Sequence, residues 1–311
     1  MSFTQDEDQL LAQERLLNEV FPEGALTFEY LDWLYRKSPD GLNISSDYTE
    51  AGKLLGHYTM VPQRWIIGGE SKLMALSLNT AVHEEARGKG LFVRLAEETY
   101  SIAARHGIRG IVGVANANST PGFVKRLGFT LVSPLPVVAG VALPVPLHAA
   151  SNHTVNAAFL NSKQFTLLTA RLHFNRPGGA AQEWSIDKLR WRLSSPKCQY
   201  ALHAHKSGVL VTTTATGPLG ARVVIALKFF PSNEVDQVDT AALIRQAAAY
   251  HKAWFFIYSG FNNSASLKGI PLPRRLLPSP LNLIYRKLDS TLPDAISIQF
   301  SSFEFLDFDA Y

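Results

Sequence analysis

The sequence predicts a mixed α/β (α+β) fold of two domains, each a largely antiparallel sheet flanked by helices. Three observations carry that expectation. Apolar runs of strand length alternate with stretches of helical spacing, in the order helix, antiparallel strands, glycine-rich loop, helix, strand, loop, short helix, strand. The same order recurs, loosened, in the second half. The chain has 311 residues, 46% of them apolar, which is enough to give each half its own core.

"MSFTQDEDQLLAQERLL" is acidic and reads as a surface helix rather than a secretory leader. "LDWLYRKSPDG" is an aromatic helix end closed by a Ser-Pro-Asp-Gly turn. Two strand runs follow, "KLLGHYTMVPQRWII" and "SKLMALSLNTAV", with a glycine-bearing hairpin loop between them. Leu91, Leu95, Thr99 and Ile102 then recur at helical spacing, and Gly107 marks a C-terminal stop. "IRGIVGVA" is a buried strand, "NANSTP" a polar loop, and "GFVKRL" a short helix ended by Gly128.

In the second half "LRWRLSSP" echoes "LDWLYRKSP", a tryptophan shortly before Ser-Pro in each. The strand-like runs "YALHAHKSGVLVTTTA" and "ARVVIALKFF" follow, then a helical segment over 239–252 and the strand "AWFFIYSG". A tandem duplication is the expectation, with domains at 1–145 and 146–311. Between the halves, "LVSPLPVVAGVALPVPLHAA" has no formal charge, but its prolines and glycine suit extended chain better than a membrane helix.

The formal net charge of +4 arises from 30 basic residues scattered among 26 acidic ones. A nucleic-acid-binding face would concentrate them, so neither nucleic acid nor membrane is expected as partner, and a small polyanion suits the bias. One cysteine, Cys198, excludes an intramolecular disulfide and any multi-cysteine metal site, and no metal is expected. The expected location is the cytoplasm.

"HEEARGKGLF", directly after the apolar run ending at Val82, is the segment richest in chemistry. A strand feeding a glycine turn that opens a helix presents unpaired N–H groups and the positive end of a helix dipole, which together favour a phosphate. Gly88 and Gly90 would admit close approach of the main chain, while Arg87 and Lys89 add charge. The alternative is a solvated turn whose glycines serve conformation only. The spacing fits neither a P-loop nor a dinucleotide fingerprint, since Val93 stands where the latter needs a third glycine.

"RGKGLF" after an apolar strand, followed by a helix, a strand, "NANS" and "FVKRLGF", resembles the GNAT superfamily of acyl-CoA-dependent N-acyltransferases over roughly residues 26–132. Arg87, Gly90 and Phe92 stand at the defining places of that family's loop, with Phe92 departing from the usual Gly or Ala. The repeat then suggests a tandem arrangement, similar to nucleotide-sugar N-acyltransferases, whose second copy has lost the coenzyme loop: "FPSNEVDQVD" there contains no glycine.

The resemblance implies that the N–H groups of Arg87, Gly88, Lys89, Gly90, Leu91 and Phe92 hold the pyrophosphate of acetyl-CoA or another short acyl-CoA. The edge at Ala81 and Val82 would pair with the pantetheine, which family members thread between this strand and the next. Asn116 and Asn118 would bond the coenzyme arm and Phe123 would pack on it, although turn formation and ordinary core packing account for these residues equally simply. The Val82 N–H is the natural oxyanion donor. Val124 occupies the place where many family members have a tyrosine acid, so the thiolate leaves unaided or takes its proton elsewhere.

The base is drawn from His83, His57 and a water held by Asn79 or Ser77. Trp33, Tyr35 and Arg36 lie where the family builds its acceptor region, and Arg274 and Arg275 could clamp a diphosphate. Core packing and surface charge are the plain alternatives for these two sets. The acceptor expected is a nucleotide-linked amino sugar. Acylation of a protein lysine, polyamine or antibiotic amine is the rival enzyme reading, and a non-catalytic CoA-binding protein is the rival outside enzymology.

Overall fold

The computed structural model describes residues 6–175, 178–273, 275, 277 and 279–311. In chain order the elements begin with α1 (Glu7–Val20), α2 (Phe28–Arg36), β1 (Ile44–Glu50), β2 (Lys53–Ile67), β3 (Glu70–Val82), α3 (Leu91–Arg105) and β4 (Gly110–Ala115). Next come α4 (Thr120–Arg126), β5 (Thr130–Pro134), β6 (Val137–Val141), β7 (Ser151–Thr154), α5 (Ala157–Leu160), α6 (Lys163–Thr169), β8 (Ala181–Gln182) and α7 (Ile186–Leu193). The remainder is β9 (Ala201–His205), β10 (Gly208–Thr216), β11 (Arg222–Pro231), α8 (Thr240–His251), β12 (Phe255–Asn262), β13 (Ile270–Pro271), β14 (Asn282–Lys287) and β15 (Ser302–Glu304).

Contacts divide the chain into two units. The first takes the chain up to Trp65, Ser71–Ser133 and Leu281–Ile298; the second takes Ile66–Glu70, Pro134–Pro280 and Gln299–Tyr311.

In the first unit the strands run β1-β2-β3-β4-β14-β5. β2 is buried continuously from Leu55 to Gln63, the pattern of a strand covered on both faces. α3 buries Leu91, Leu95, Ala96, Thr99, Tyr100 and Ala103, one face of a 3.6-residue helix. That face joins Tyr58, Met60, Ile111, Phe123 and Phe129 in one core. The helix passes so close over β2 that a Cβ on Gly56 would lie 2.9 Å from a methyl of Leu95. Gly107 (φ 81°) turns the chain out of α3, as its position after the last periodic residue implies.

The second unit orders its strands β13-β6-β12-β11-β10-β9-β7, with β15 also on β12. Its succession matches the first: antiparallel strands β9, β10 and β11, a helix, then β12 lying parallel to β11, as β4 lies parallel to β3. α8 packs Leu243, Ile244, Ala247 and Ala248 onto Val224, Ala226 and Phe256.

Two features differ from the sequence reading. "YALHAHKSGVLVTTTA" is a hairpin rather than a single strand: β9 and β10 pair from His205↔Gly208 outward. Gly208 (φ 151°) has the Phe230 carbonyl where a Cβ would sit, so only glycine fits that bend. β14 pairs with β4 from Asn282↔Ala115 to Lys287↔Gly110, so a segment late in the sequence completes the first unit's sheet. β6 takes the equivalent antiparallel place beside β12.

Candidate active site

The glycine loop leads from β3 into α3. Gly88 (φ 81°) and Gly90 (φ 70°) are both left-handed, and space is open where a Cβ on either would lie. Glycine is therefore required here by backbone conformation, at a surface that leaves room for a ligand. Gly90 is the N-cap of α3 and brings no side chain to it. The Arg87 N–H is spent on the Glu84 carbonyl at 3.1 Å, which removes it from the amides expected to hold a phosphate; after it, the first amide with a backbone acceptor among the described residues is that of Arg94, which donates to Gly90 O at 3.2 Å. The preceding N–H groups, where a Ser or Asp cap would ordinarily bond, face the end of the helix dipole. Arg87 is exposed, and Lys89 pairs with Glu50 at 2.6 Å.

β3 and β4 pair in parallel from Met74↔Gly110 to Ser77↔Gly113. β3 then runs on to Val82 and β4 to Ala115, past the last paired residues. Asn79 sits at the departure point with φ 48°, a left-handed conformation that asparagine tolerates better than most residues. Tyr58 braces the ladder's end: its hydroxyl bonds Ser77 Oγ at 2.8 Å and the Tyr100 hydroxyl at 2.7 Å. Burial pushes the Tyr58 phenol up to about 12 and raises that of Tyr100 as well, so both stay protonated.

A buried hydrogen-bonded chain reaches the same point. Asn79 Nδ2 donates to the Tyr35 hydroxyl at 3.0 Å. That hydroxyl lies 3.3 Å from His57 Nε2, and His57 Nδ1 lies 2.6 Å from Asp47 Oδ1. Gln9 and Gln13 each donate to the other Asp47 oxygen at 2.9 Å. Burial opposes ionisation of Asp47, but the hydrogen bond and charge of His57 and the two glutamines together hold its carboxyl below the usual range. A carboxylate at Nδ1 fixes the imidazole proton there, so neutral Nε2 accepts from Tyr35. His57 and Tyr35 are both fully buried.

The other predicted residues fall as follows. His83 Nδ1 accepts the Glu85 N–H at 3.3 Å, and Nε2 lies 3.3 Å from Glu19. It caps the turn that precedes the glycine loop. Ala81 and Leu91 are buried, and Val82 is half-buried. Phe92 packs edge-on to Phe123 at 5.6 Å, and Phe123 edge-on to Phe129 at 5.2 Å, so Phe123 belongs to the core. Asn116 uses its side-chain oxygen on the N–H groups of Asn118 and Ser119; Asn118 is exposed.

Trp33 is buried like Tyr35, because α2 turns Tyr30, Leu31, Trp33, Leu34 and Tyr35 inward. These rings therefore offer no open stacking surface. Arg36 pairs with Asp32 at 3.4 Å. Arg275 is exposed on the second unit, and Arg274 lies outside the described residues.

Residues 6–132 match the family model of an acetyltransferase (GNAT) domain. Over that stretch, less than half of the chain, the sequence is similar to that family. Among solved structures, a GCN5-related N-acetyltransferase of Anabaena variabilis is similar at 13% identity, over 91% of this chain and 71% of its own, with a TM-score of 0.61. A protein of Enterococcus faecalis described as a probable N-acyltransferase has the same identity, over 92% and 72%, with a TM-score of 0.60. The N-myristoyltransferase of Saccharomyces cerevisiae, solved with myristoyl-CoA, reaches 0.54 at 14% identity over 96% and 85%. No curated protein matches in sequence. The domain match supports an acyl-CoA-dependent N-acyltransferase, and the neighbours share the fold. No helix among the described residues is long and apolar enough to cross a membrane.

The second unit treats the corresponding place differently. Its parallel ladder also stops after four pairs, at Ala226↔Tyr258. Beyond it, Glu304 Oε1 accepts the Phe229 N–H at 3.2 Å and Asn262 Nδ2 donates to Phe229 O at 3.0 Å. The strand edge beyond the ladder is thus taken up by side chains of the unit itself.

Proposed function

We propose that this chain transfers a short acyl group from acyl-CoA to the amine of a nucleotide-linked amino sugar. The observation that carries the acyl-CoA part is the uncapped left-handed turn at Gly90, set beside a parallel ladder that ends at Ser77 while β3 runs on to Val82. The amides of residues 88–92 would take the pyrophosphate, and the edge at Ala81 and Val82 the pantetheine.

In the reaction the amine nitrogen attacks the thioester carbonyl; the C–N bond forms and the C–S bond breaks. The Val82 N–H receives the developing oxyanion. The proton lost by the amine passes through a water on Asn79 to the Tyr35 hydroxyl, which hands its own proton to His57 Nε2. Asp47 stabilises the imidazolium so formed. The CoA thiolate, a weak base, leaves and is protonated from solvent.

The sugar acceptor rests on the loop's resemblance and on the chain's mild positive balance. The buried Trp33 and Tyr35 take no part in supporting it. The test is thiol release from acetyl-CoA with a panel of nucleotide-linked amino sugars, a lysine peptide, spermidine and an aminoglycoside. Release with the sugars alone is expected. Release only with the cationic amines would remove the sugar, and binding of CoA without release on any amine would remove the catalytic role.

A further inference from the structure

The second unit has a cavity of about 420 Å³ that the acyl-transfer reading does not use. Four segments wall it: residues 148–151, the end of α6 with the residues after it, the β9–β10 turn with its flanks, and Ser232 just past β11. Leu168, Leu172 and Val209 supply apolar wall; Arg171, His205, Lys206 and His148 supply its polar chemistry. Among the described residues that line it there is no carboxylate. Arg171 and Lys206, both exposed, have no acidic partner among the described residues either.

The frame around these cations is fixed by main-chain bonds. Asn233 donates to the Arg171 carbonyl at 2.9 Å, His173 to Pro231 O at 2.9 Å, and Ser232 to Ser207 O at 3.0 Å. The imidazole of His205 is held as well. Ser207 Oγ accepts the Asp239 N–H at 3.0 Å, which leaves its own hydrogen for His205 Nδ1, also at 3.0 Å. With Nδ1 accepting, the ring proton stands on Nε2, and a neutral His205 remains a donor.

From this geometry we infer an anion-binding site for a small phosphate-bearing molecule in the second unit. Arg171, Lys206 and His205 line one concave space without a carboxylate among its lining residues, and a guanidinium can meet a phosphate with two parallel N–H bonds. The volume lies within the range of small-ligand pockets. Concavity also favours a small anion over a nucleic-acid backbone, which would be tracked by an extended basic stripe.

The inference does not depend on acyl transfer, and its test keeps the two apart. Inorganic pyrophosphate is titrated by calorimetry into the full chain with CoA already saturating, so that the glycine loop is not counted. A single further site of sub-millimolar affinity is expected, about tenfold weaker in Arg171→Ala and lost in the double variant Arg171→Glu, Lys206→Glu. Both residues are exposed, so an unchanged melting temperature will show that the variants fold. ADP serves as a second arm: tighter binding than pyrophosphate assigns the phosphate to a nucleotide, and equal binding to a free inorganic anion. Absence of saturable binding, or binding that the double charge reversal leaves intact, overturns the site. So does tighter binding of duplex DNA through the same two residues.

Discussion

Asn79 donates a 3.0 Å hydrogen bond to the hydroxyl of Tyr35. One partner sits at the left-handed kink of β3 and the other on the buried face of α2. The bond joins the place where β3 leaves β4 to the buried pair His57–Asp47, the route outward that the proposed proton transfer uses.

Tyr35→Phe removes the only hydroxyl in that route while keeping the ring. The expected result is a fall in kcat of about 10²-fold, at the lower end of the range for general-base catalysis, with KM for acyl-CoA little changed. Loss of the buried partner for Asn79 and His57 should also cost about 1–3 kcal/mol of stability. Steady-state kinetics and urea unfolding on the same preparation check both. An unchanged kcat would reduce the chain to a packing device.

Asp47→Asn tests the anchor of the chain through pH. The carboxyl of Asp47 is held below its ordinary value, so the folded state favours its charged form. Its contribution to stability is complete above the unfolded value of about 4 and is lost as pH falls through the lower folded value. The stability difference between wild type and Asp47→Asn, measured by denaturant unfolding, should therefore be constant from pH 7 to 5 and shrink below pH 4.

The glycine loop, β2, β3 and α3 could be read from sequence because each depends on neighbours close along the chain. Asp47 could not be read that way. It stands opposite His57 only through the β1/β2 register, and "ISSDYTE" is too polar to announce a strand. The signal was present in Ala51 and Gly52, whose left-handed turn folds β1 back on β2; counting outward from it places Asp47 near His57. β14 lacks even that signal. Nothing local to "NLIYRK" specifies β4 as its partner, because the pairing closes a loop spanning most of the second unit.

Gly90→Val should weaken CoA binding at least tenfold. Space around Gly90 is open, so the effect comes from φ 70°, which costs a side-chain-bearing residue about 1–2 kcal/mol. The turn will relax into a conformation that no longer aims its amides outward. Glu234→Gln, in the corresponding segment of the second unit, should leave the affinity unchanged. Calorimetry with CoA on both variants distinguishes a site in the first unit from one shared by the two.

His203 provides an acid-sensitive element in the second unit. Burial drives its pKa down to about 3, with the charges of His251 and His153 adding to the effect. It bonds Asn152 at 2.7 Å and Thr212 at 2.8 Å as a neutral ring. Its folded value lies below the unfolded 6.5, so protonation favours unfolding. Stability is complete above pH 6.5 and declines below it by up to about 1.4 kcal/mol per pH unit. His203→Gln should flatten that decline when urea unfolding is compared at pH 7, 6 and 5; parallel curves would contradict it.

The second unit should bind no coenzyme, and the reason lies at Glu304. Its carboxylate accepts from the Phe229 N–H and from Asn262, while Lys228 joins it to Asp307 at 3.0 and 2.8 Å. Lys228, Glu304 and Asp307 are all buried. Burial opposes charge on Lys228, but the two carboxylates keep its ammonium more firmly protonated than usual. A pantetheine amide competing for Phe229 would have to displace Glu304 and strand that ammonium. Breaking a buried pair by removing one partner costs about 3–5 kcal/mol, more than one amide hydrogen bond returns. Calorimetry should accordingly give one CoA per chain. Glu304→Ala should lower stability by about that 3–5 kcal/mol without adding a second site, because residues 230–239 also lack the glycine turn; two equivalents of CoA bound to the wild-type chain would refute the assignment.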